Sequence, residues 1–245
     1  MTRVKMCGMR TPADIAAVNL VRPDYVGFVF VPGRRRAVSP ERARVLRGLL
    51  APGICAVGVF VDAPVDTVAA LLADGTIDVA QLHGSEDAAY IERLRRATGL
   101  APADVAGARI IDARTVRTAA DVRSACESTA DAILLDNGMG TGETFDHALV
   151  ELACRPFFLA GGLDPENVGA IVGRLAPFAV DVSSGIEAGG AKDLGRMRAF
   201  ARAVTTAGDN DRACCCHPLT TTARDVVTLP FPIHPYPKEF SHDQP

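Results

Sequence analysis

Short apolar runs separated by longer mixed stretches set the rhythm of this chain. The runs are Val4–Cys7, Tyr25–Phe30, Cys55–Val61, Val79–Leu82, Ala108–Ile111, Ala132–Leu135, Phe157–Ala160 and Phe178–Val182. Each is too short for a membrane span and reads as a buried strand. Their starts recur about every 21 to 30 residues, which leaves room for one helix between each pair. Strand then helix, repeated eight times, predicts an α/β protein: a closed (βα)8 TIM barrel.

Helix-start signals agree with that phase. Thr11-Pro12-Ala13-Asp14 offers a cap, a proline in the first turn and an acid at the third position. Ser39-Pro40-Glu41 and Asp164-Pro165-Glu166 repeat the cap and the proline. The last barrel helix is expected near Ala191–Val204, with Leu194, Met197, Ala201 and Val204 on one stripe and Arg196 and Arg198 on a solvated face. Beyond Val204 neither period is sustained and prolines are frequent. The expected organisation is a barrel over residues 1–204 and a disordered, Pro-rich tail over residues 205–245.

The seventh and eighth runs end differently from the others. Phe157–Ala160 opens into Gly161 and Gly162, and Phe178–Val182 opens into Ser183, Ser184 and Gly185. In a parallel barrel these ends lie side by side and present backbone N–H groups and hydroxyls, a place to hold a phosphate. Tight turns that need positive φ would use the same glycines.

Composition changes little in this picture. The chain has 245 residues, 48% hydrophobic content and a formal charge of −3. No basic excess invites nucleic acid and no long apolar segment invites a membrane. No cationic leader precedes the first strand, so a cytoplasmic location is expected. The cysteines number seven, without a repeated spacing, which favours reduced thiols. Cys214-Cys215-Cys216-His217 is a poor zinc set, because adjacent residues rarely converge on one tetrahedral ion.

Chemistry is expected where strands end. Cys7 closes the first strand before Gly8, and is either a reactive thiol or a buried core residue. Asp136 closes the sixth after Ile133-Leu134-Leu135, where a carboxylate is costly to bury without partners or a task. Arg34-Arg35-Arg36 follows the second strand and can meet an anionic ligand or solvent. His83 after the fourth strand is a candidate substrate contact. Asp62 and Asp112, expected after strands three and five, read as caps of the next helices.

Taken in order, several segments resemble those of a known family. They include Lys5-Met6-Cys7-Gly8, Gly27-Phe28-Val29-Phe30 with Arg36, Gln81-Leu82-His83-Gly84 and Leu134-Leu135-Asp136. Further on come Gly140-Thr141-Gly142 with Thr144-Phe145-Asp146, Gly161-Gly162-Leu163 and Asp181-Val182-Ser183-Ser184-Gly185-Ile186-Glu187. Together they resemble phosphoribosylanthranilate isomerase of tryptophan biosynthesis over roughly Val4–Phe200.

The resemblance implies an Amadori rearrangement of N-(5'-phosphoribosyl)anthranilate to 1-(2-carboxyphenylamino)-1-deoxyribulose 5-phosphate, with no metal and no cofactor. It implies Cys7 as general base, Asp136 as general acid and Arg36 as the contact for the anthranilate carboxylate. Gly161, Gly162, Ser183, Ser184 and Gly185 would hold the phosphate, and the partner is a small phosphoribosyl molecule met by a monomer or a homodimer. A free thiol titrates at roughly 8.5, so the site must favour the thiolate if Cys7 is to act at neutral pH. The sequence departs from the family pattern at Ala37, at Met139 within Asn137-Gly138-Met139, and at His147. Two alternatives are the related histidine-biosynthesis isomerase, whose first strand usually ends in aspartate, and a catalytically silent sugar-phosphate-binding barrel.

Overall fold

The structure is a computed structural model that describes residues 1–136 and 147–213. Eight strands form the barrel: β1 (Arg3–Cys7), β2 (Tyr25–Val29), β3 (Cys55–Phe60), β4 (Val79–Leu82), β5 (Ile110–Thr115), β6 (Ala132–Asp136), β7 (Phe157–Ala160) and β8 (Ala179–Val182). Each is parallel to the next, and β8 pairs with β1 to close the ring. The helices are α1 (Pro12–Val21), α2 (Pro40–Gly48), α3 (Val65–Ala73), α4 (Ala88–Thr98), α5 (Ala119–Cys126), α6 (His147–Val150), α7 (Val168–Leu175) and α8 (Leu194–Ala213). A two-stranded hairpin, β9 (Glu187–Ala188) with β10 (Ala191–Lys192), separates β8 from α8.

Strand alternation divides the apolar residues between two layers. Tyr25, Val57, Val79, Ile111, Leu134 and Phe158 meet inside the barrel. Val4, Met6, Val26, Phe28 and Val180 take the other face and pack against Ile15, Val18 and Leu46 of the helices. Fully burying a side chain of this size contributes about 1.5–3 kcal/mol, so the two layers supply most of the driving force. The same alternation turns Lys5, Cys7, Gln81, Asp136 and Asp181 inward, and this sets up the site.

Capping behaves as the sequence implies at two helices. Thr11 and Asp14 form a reciprocal box at α1, and the Ser39 hydroxyl accepts from Arg42 N at α2. At α7 the expectation is corrected. The helix begins only at Val168, and Asp164 Oδ1 instead accepts from Glu166 N and Asn167 N in the preceding turn. A second correction concerns α8, which continues to Ala213 rather than ending at Val204. Phe200 and Val204 are buried and Ala207 still packs against the same cluster, so an alanine carries the stripe on where a larger residue was sought.

The fifth strand is also shifted, beginning at Ile110 and running to Thr115. Asp112 is therefore not a strand-end cap. It lies within β5 between the inward residues Ile111 and Ala113, and its carboxylate pairs with Arg114 at 2.8 Å. Asn137–Met139, the Gly140-Thr141-Gly142 turn, Thr144–Asp146, Cys214–Cys216 and His217 lie outside the described residues.

Candidate active site

Cys7, His83, Asp136, Arg36 and the glycine and serine turns after β7 and β8 all lie at the end of the barrel where the strands finish. Cys7 sits at the end of β1 and pairs in register with Gly27 of β2. A Cβ on Gly27 would fall 2.5 Å from the Cys7 Sγ, so a side chain there would displace the thiol. Gly8 follows with φ +83°, and a Cβ on it would come within 2.4 Å of Arg36 Cδ. Glycine is needed on both counts: for the left-handed backbone and for the close passage of the arginine.

Beneath the thiol lies an ion pair that the sequence reading missed. Lys5 Nζ donates to Asp181 Oδ2 at 2.6 Å, and Lys5 is entirely buried. The two residues are register partners across the β1–β8 seam. Burial would strip the proton from Lys5, but Asp181 and Cys7 outweigh it and hold the ammonium pKa above its ordinary value. Removing one member of such a pair costs about 3–5 kcal/mol, because a buried charge is left uncompensated. The available signal was a lysine and an aspartate at inward positions of two otherwise apolar strands.

For Cys7 the balance runs the other way. Desolvation pushes the thiol pKa up, the Lys5 ammonium pulls it down, the Asp181 carboxylate raises it again and Lys192 lowers it, and the net position is above an ordinary thiol. The Ser183 hydroxyl donates to the Cys7 carbonyl at 3.1 Å and so ties the end of β8 to the end of β1. Lys192 of β10 donates to the Ser183 carbonyl at 2.8 Å.

On the other side of the mouth, His83 and Asp136 extend from β4 and β6, which flank β5. His83 Nε2 is 3.7 Å from Asp136 Oδ2 and both side chains are partly exposed. Asp136 is thus the final residue of β6, on the same inward face as Leu134. Asp62, expected as a cap of α3, instead accepts from Ser85 N and Oγ, each at 2.7 Å. Those bonds hold its carboxyl below the usual range.

Arg36 does not stand open to solvent. Its Nε donates to Glu187 Oε1 at 2.7 Å and its Nη2 to Glu187 Oε2 at 3.1 Å. Arg35 donates to Glu187 as well, and Lys192 Nζ lies 3.1 Å from it. Burial would raise the Glu187 pKa, yet the Arg36, Arg35 and Lys192 contacts bring it down to about 2. One carboxylate thus collects three cations, leaving net positive charge at this rim. Glu187 and Lys192 are further residues that the sequence reading did not single out.

The two late turns fit against each other. Gly161 and Gly162 have φ values of +100° and +64°, and Asn167 Nδ2 donates to the Gly162 carbonyl at 2.9 Å. Ser184–Ile186 forms a single 3-10 turn after β8. A Cβ on Gly185 would lie 2.0 Å from the Leu163 carbonyl oxygen, so only glycine allows the second turn to rest on the first. Arg196 Nε donates to the Gly185 carbonyl at 2.9 Å. That contact corrects the expectation that Arg196 belongs to a solvated face; Arg198 is exposed.

This arrangement offers a thiol with cationic neighbours, a carboxylate beside an imidazole, a guanidinium fork and a glycine and serine turn pair at one mouth. It can hold a doubly anionic molecule at two ends and move protons between them.

A family described as N-(5'phosphoribosyl)anthranilate (PRA) isomerase matches residues 4–203. The N-(5'-phosphoribosyl)anthranilate isomerase of Lacticaseibacillus casei (strain BL23) is 41% identical over 200 residues, covering 82% of this chain and 93% of the relative. A phosphoribosyl anthranilate isomerase crystallised with reduced 1-(o-carboxyphenylamino)-1-deoxyribulose 5-phosphate superposes with a TM-score of 0.71. It is 33% identical and covers 84% of this chain and all of its own. A monomeric form of the dimeric Thermotoga maritima enzyme gives 0.71 at 32% identity, covering 84% of this chain and 100% of its own. A match that runs the length of the barrel, at this level of identity, makes the chain a member of the N-(5'-phosphoribosyl)anthranilate isomerase family.

Proposed function

We propose that this barrel converts N-(5'-phosphoribosyl)anthranilate to 1-(2-carboxyphenylamino)-1-deoxyribulose 5-phosphate, an aldose–ketose isomerisation in tryptophan biosynthesis. The observation that carries the reading is the presence of Cys7 and Asp136 at the ends of β1 and β6, on the rim shared with Arg36 and the β7 and β8 turns. In this reading the phosphate rests on Gly161, Gly162, Ser183, Ser184 and Gly185, and Arg36 meets the anthranilate carboxylate. His83 lies against the acid.

The chemistry follows from these positions. Asp136 protonates the ribose ring oxygen, the bond from that oxygen to C1' breaks, and the anilino nitrogen lone pair closes a C1'=N iminium. Cys7 as thiolate then takes the C2' proton, so an S–H bond forms, the C2'–H bond breaks and an enolamine results. Tautomerisation breaks the enol O–H bond at C2' and forms a C–H bond at C1', leaving C2' a ketone. C2' is oxidised and C1' reduced within one molecule, so the redox balance closes internally. Holding both anionic ends fixes C2' over the thiol, and such orientation can contribute about 7 kcal/mol or more to lowering the barrier.

The catalytic unit is assigned to the barrel, its last helix included, with residues 214–245 taking no part. No described helix is long and apolar enough to cross a membrane. We assign the protein to the cytoplasm, as a monomer or a homodimer.

The test is turnover of purified protein on phosphoribosylanthranilate, followed by fluorescence with and without EDTA, beside the bis-phosphorylated substrate of the histidine-pathway isomerase. Turnover of the first substrate alone, unchanged by chelation, is expected. Turnover of only the second would move the assignment to that isomerase, and binding without turnover of either would make the chain a silent barrel.

A further inference from the structure

Lys5 and Cys7 occupy successive inward positions of β1, so the Lys5 ammonium is the charge next below the thiol on its own strand. The interior layer below them is apolar, built from Val57, Val79, Ile111 and Phe158. An ion pair in such a layer adds little stability, since well-packed apolar residues serve as well or better. Its place directly under the thiol therefore calls for another explanation. The Asp181 carboxylate binds Lys5 through Oδ2 alone, and its buried Oδ1 has no hydrogen-bond partner among the described residues. The pair is thus held by one short contact across the seam.

The charged groups facing Cys7 are few. Lys5 comes from its own strand, Asp181 from β8 and Lys192 from β10, while β2 presents Gly27. Lys192 is committed to the Ser183 carbonyl and to Glu187, with only 3% of its side chain exposed. Lys5 has one anionic partner and one neighbouring thiol.

We propose that Lys5 and Asp181 are positioning residues for proton transfer at Cys7: the Lys5 ammonium stabilises the thiolate, and Asp181 fixes the ammonium beneath it. This rests on Cys7 serving as the base. Before turnover the Cys7 proton leaves through the open mouth, and during turnover the thiolate accepts the C2' proton. Lys5 keeps its three protons throughout, in keeping with a folded-state pKa held above the ordinary value.

The experiment compares full-length wild type, Lys5→Met, and Lys5→Met with Asp181→Asn. The double variant removes both charges together, so it folds even if the single one, with a stranded carboxylate, does not. Iodoacetamide labelling of the Cys7 peptide is followed by mass spectrometry as a function of pH, beside the pH profile of kcat/KM. The labelling midpoint is expected to rise by at least about one pH unit in folded Lys5→Met, and to rise by less in the double variant, where loss of the Asp181 charge offsets part of the effect. The ascending limb of kcat/KM moves with it, giving about a tenfold loss at pH 7 in Lys5→Met, while KM changes little. A folded double variant with the wild-type midpoint overturns the proposal, and so does lost kcat without a shift, which would make the pair merely structural. Labelling needs no turnover, so failure of the underlying reading shows separately, as wild-type kcat in Cys7→Ser.

Discussion

Arg36 and Glu187 meet edge to edge through two hydrogen bonds, Nε to Oε1 at 2.7 Å and Nη2 to Oε2 at 3.1 Å. A guanidinium has two bidentate edges, and this contact uses one of them. Among the described residues Nη1 makes no hydrogen bond, so the Nη1–Nη2 edge remains for a ligand carboxylate. Glu187 fixes the plane of the fork, and in the proposed function the second edge is the one that meets the carboxylate.

Arg36→Met is therefore expected to raise KM, or the Kd of a product analogue, at least about tenfold. Arg34→Met is expected to change it less than twofold, since Arg34 is exposed. Calorimetry with a reduced product analogue gives both values. Equal, small effects would return the three arginines to the role of solvated loop.

Cys7→Ser and Asp136→Asn keep side-chain size and remove the titrating group. Each is expected to lower kcat at least about 100-fold, the low end for a positioned acid or base, while analogue binding persists. Near wild-type kcat in Cys7→Ser would leave Cys7 as a buried strand-end thiol.

Glu187 predicts a dependence of stability on acid. Its folded pKa, about 2, lies below the ordinary carboxylate value. The extra stability is present above pH about 4.5 and is lost as pH falls through about 2, because the unfolded chain takes up the proton first. Urea unfolding of wild type and Glu187→Gln should thus show a gap at pH 6 that narrows steadily between pH 4.5 and 2. A gap that is constant across that range would remove the ion pairs as its source.

Gly185→Ala places a methyl group against the Leu163 carbonyl, where the glycine leaves a 2.0 Å approach. A destabilisation of about 1–3 kcal/mol is expected from forced overpacking, with KM rising more than kcat falls if these turns hold the phosphate. Chemical denaturation and steady-state kinetics on one preparation separate the two.

Truncation after Ala213 removes a Pro-rich segment without apolar period and is expected to leave unfolding free energy within about 0.5 kcal/mol and kcat/KM within twofold. Cutting after Val204, inside α8, is expected to cost more, because Ala207 packs on the core. Equal costs would move the boundary back to Val204.

The fold was legible because its signal is repeated: eight apolar runs in phase are hard to mistake even when one, Ala108–Ile111, is displaced by two residues at its start. Residues at strand ends were legible for the same reason, since alternation and the glycine after Cys7 locate the mouth. Pairing across the ring was not. Lys5 and Asp181 are 176 residues apart, and nothing local in either strand announces the other. Asp112 misled because a strand's end is the least certain part of an apolar run, and an end four residues later, at Thr115 rather than Ile111, turned an apparent cap into a residue within the strand. Arg36 reads from the sequence as a candidate anion contact, while the protein carboxylate it meets sits beyond β8, outside the reach of a local reading.

The β1–β8 seam also bears on how the protein comes into being. Strands β1 and β8 are the first and last of the ring, so a chain emerging from the ribosome carries Lys5 for almost the whole barrel before Asp181 exists to meet it. Until then Lys5 has no Asp181 to pair with, and Cys7 has no Ser183 to tether it. Such long-range closure is slow and comes late in folding. Catalytic competence should accordingly arise in one step with ring closure, and a nascent chain stalled before β8 should hold seven strands' worth of structure with no measurable turnover.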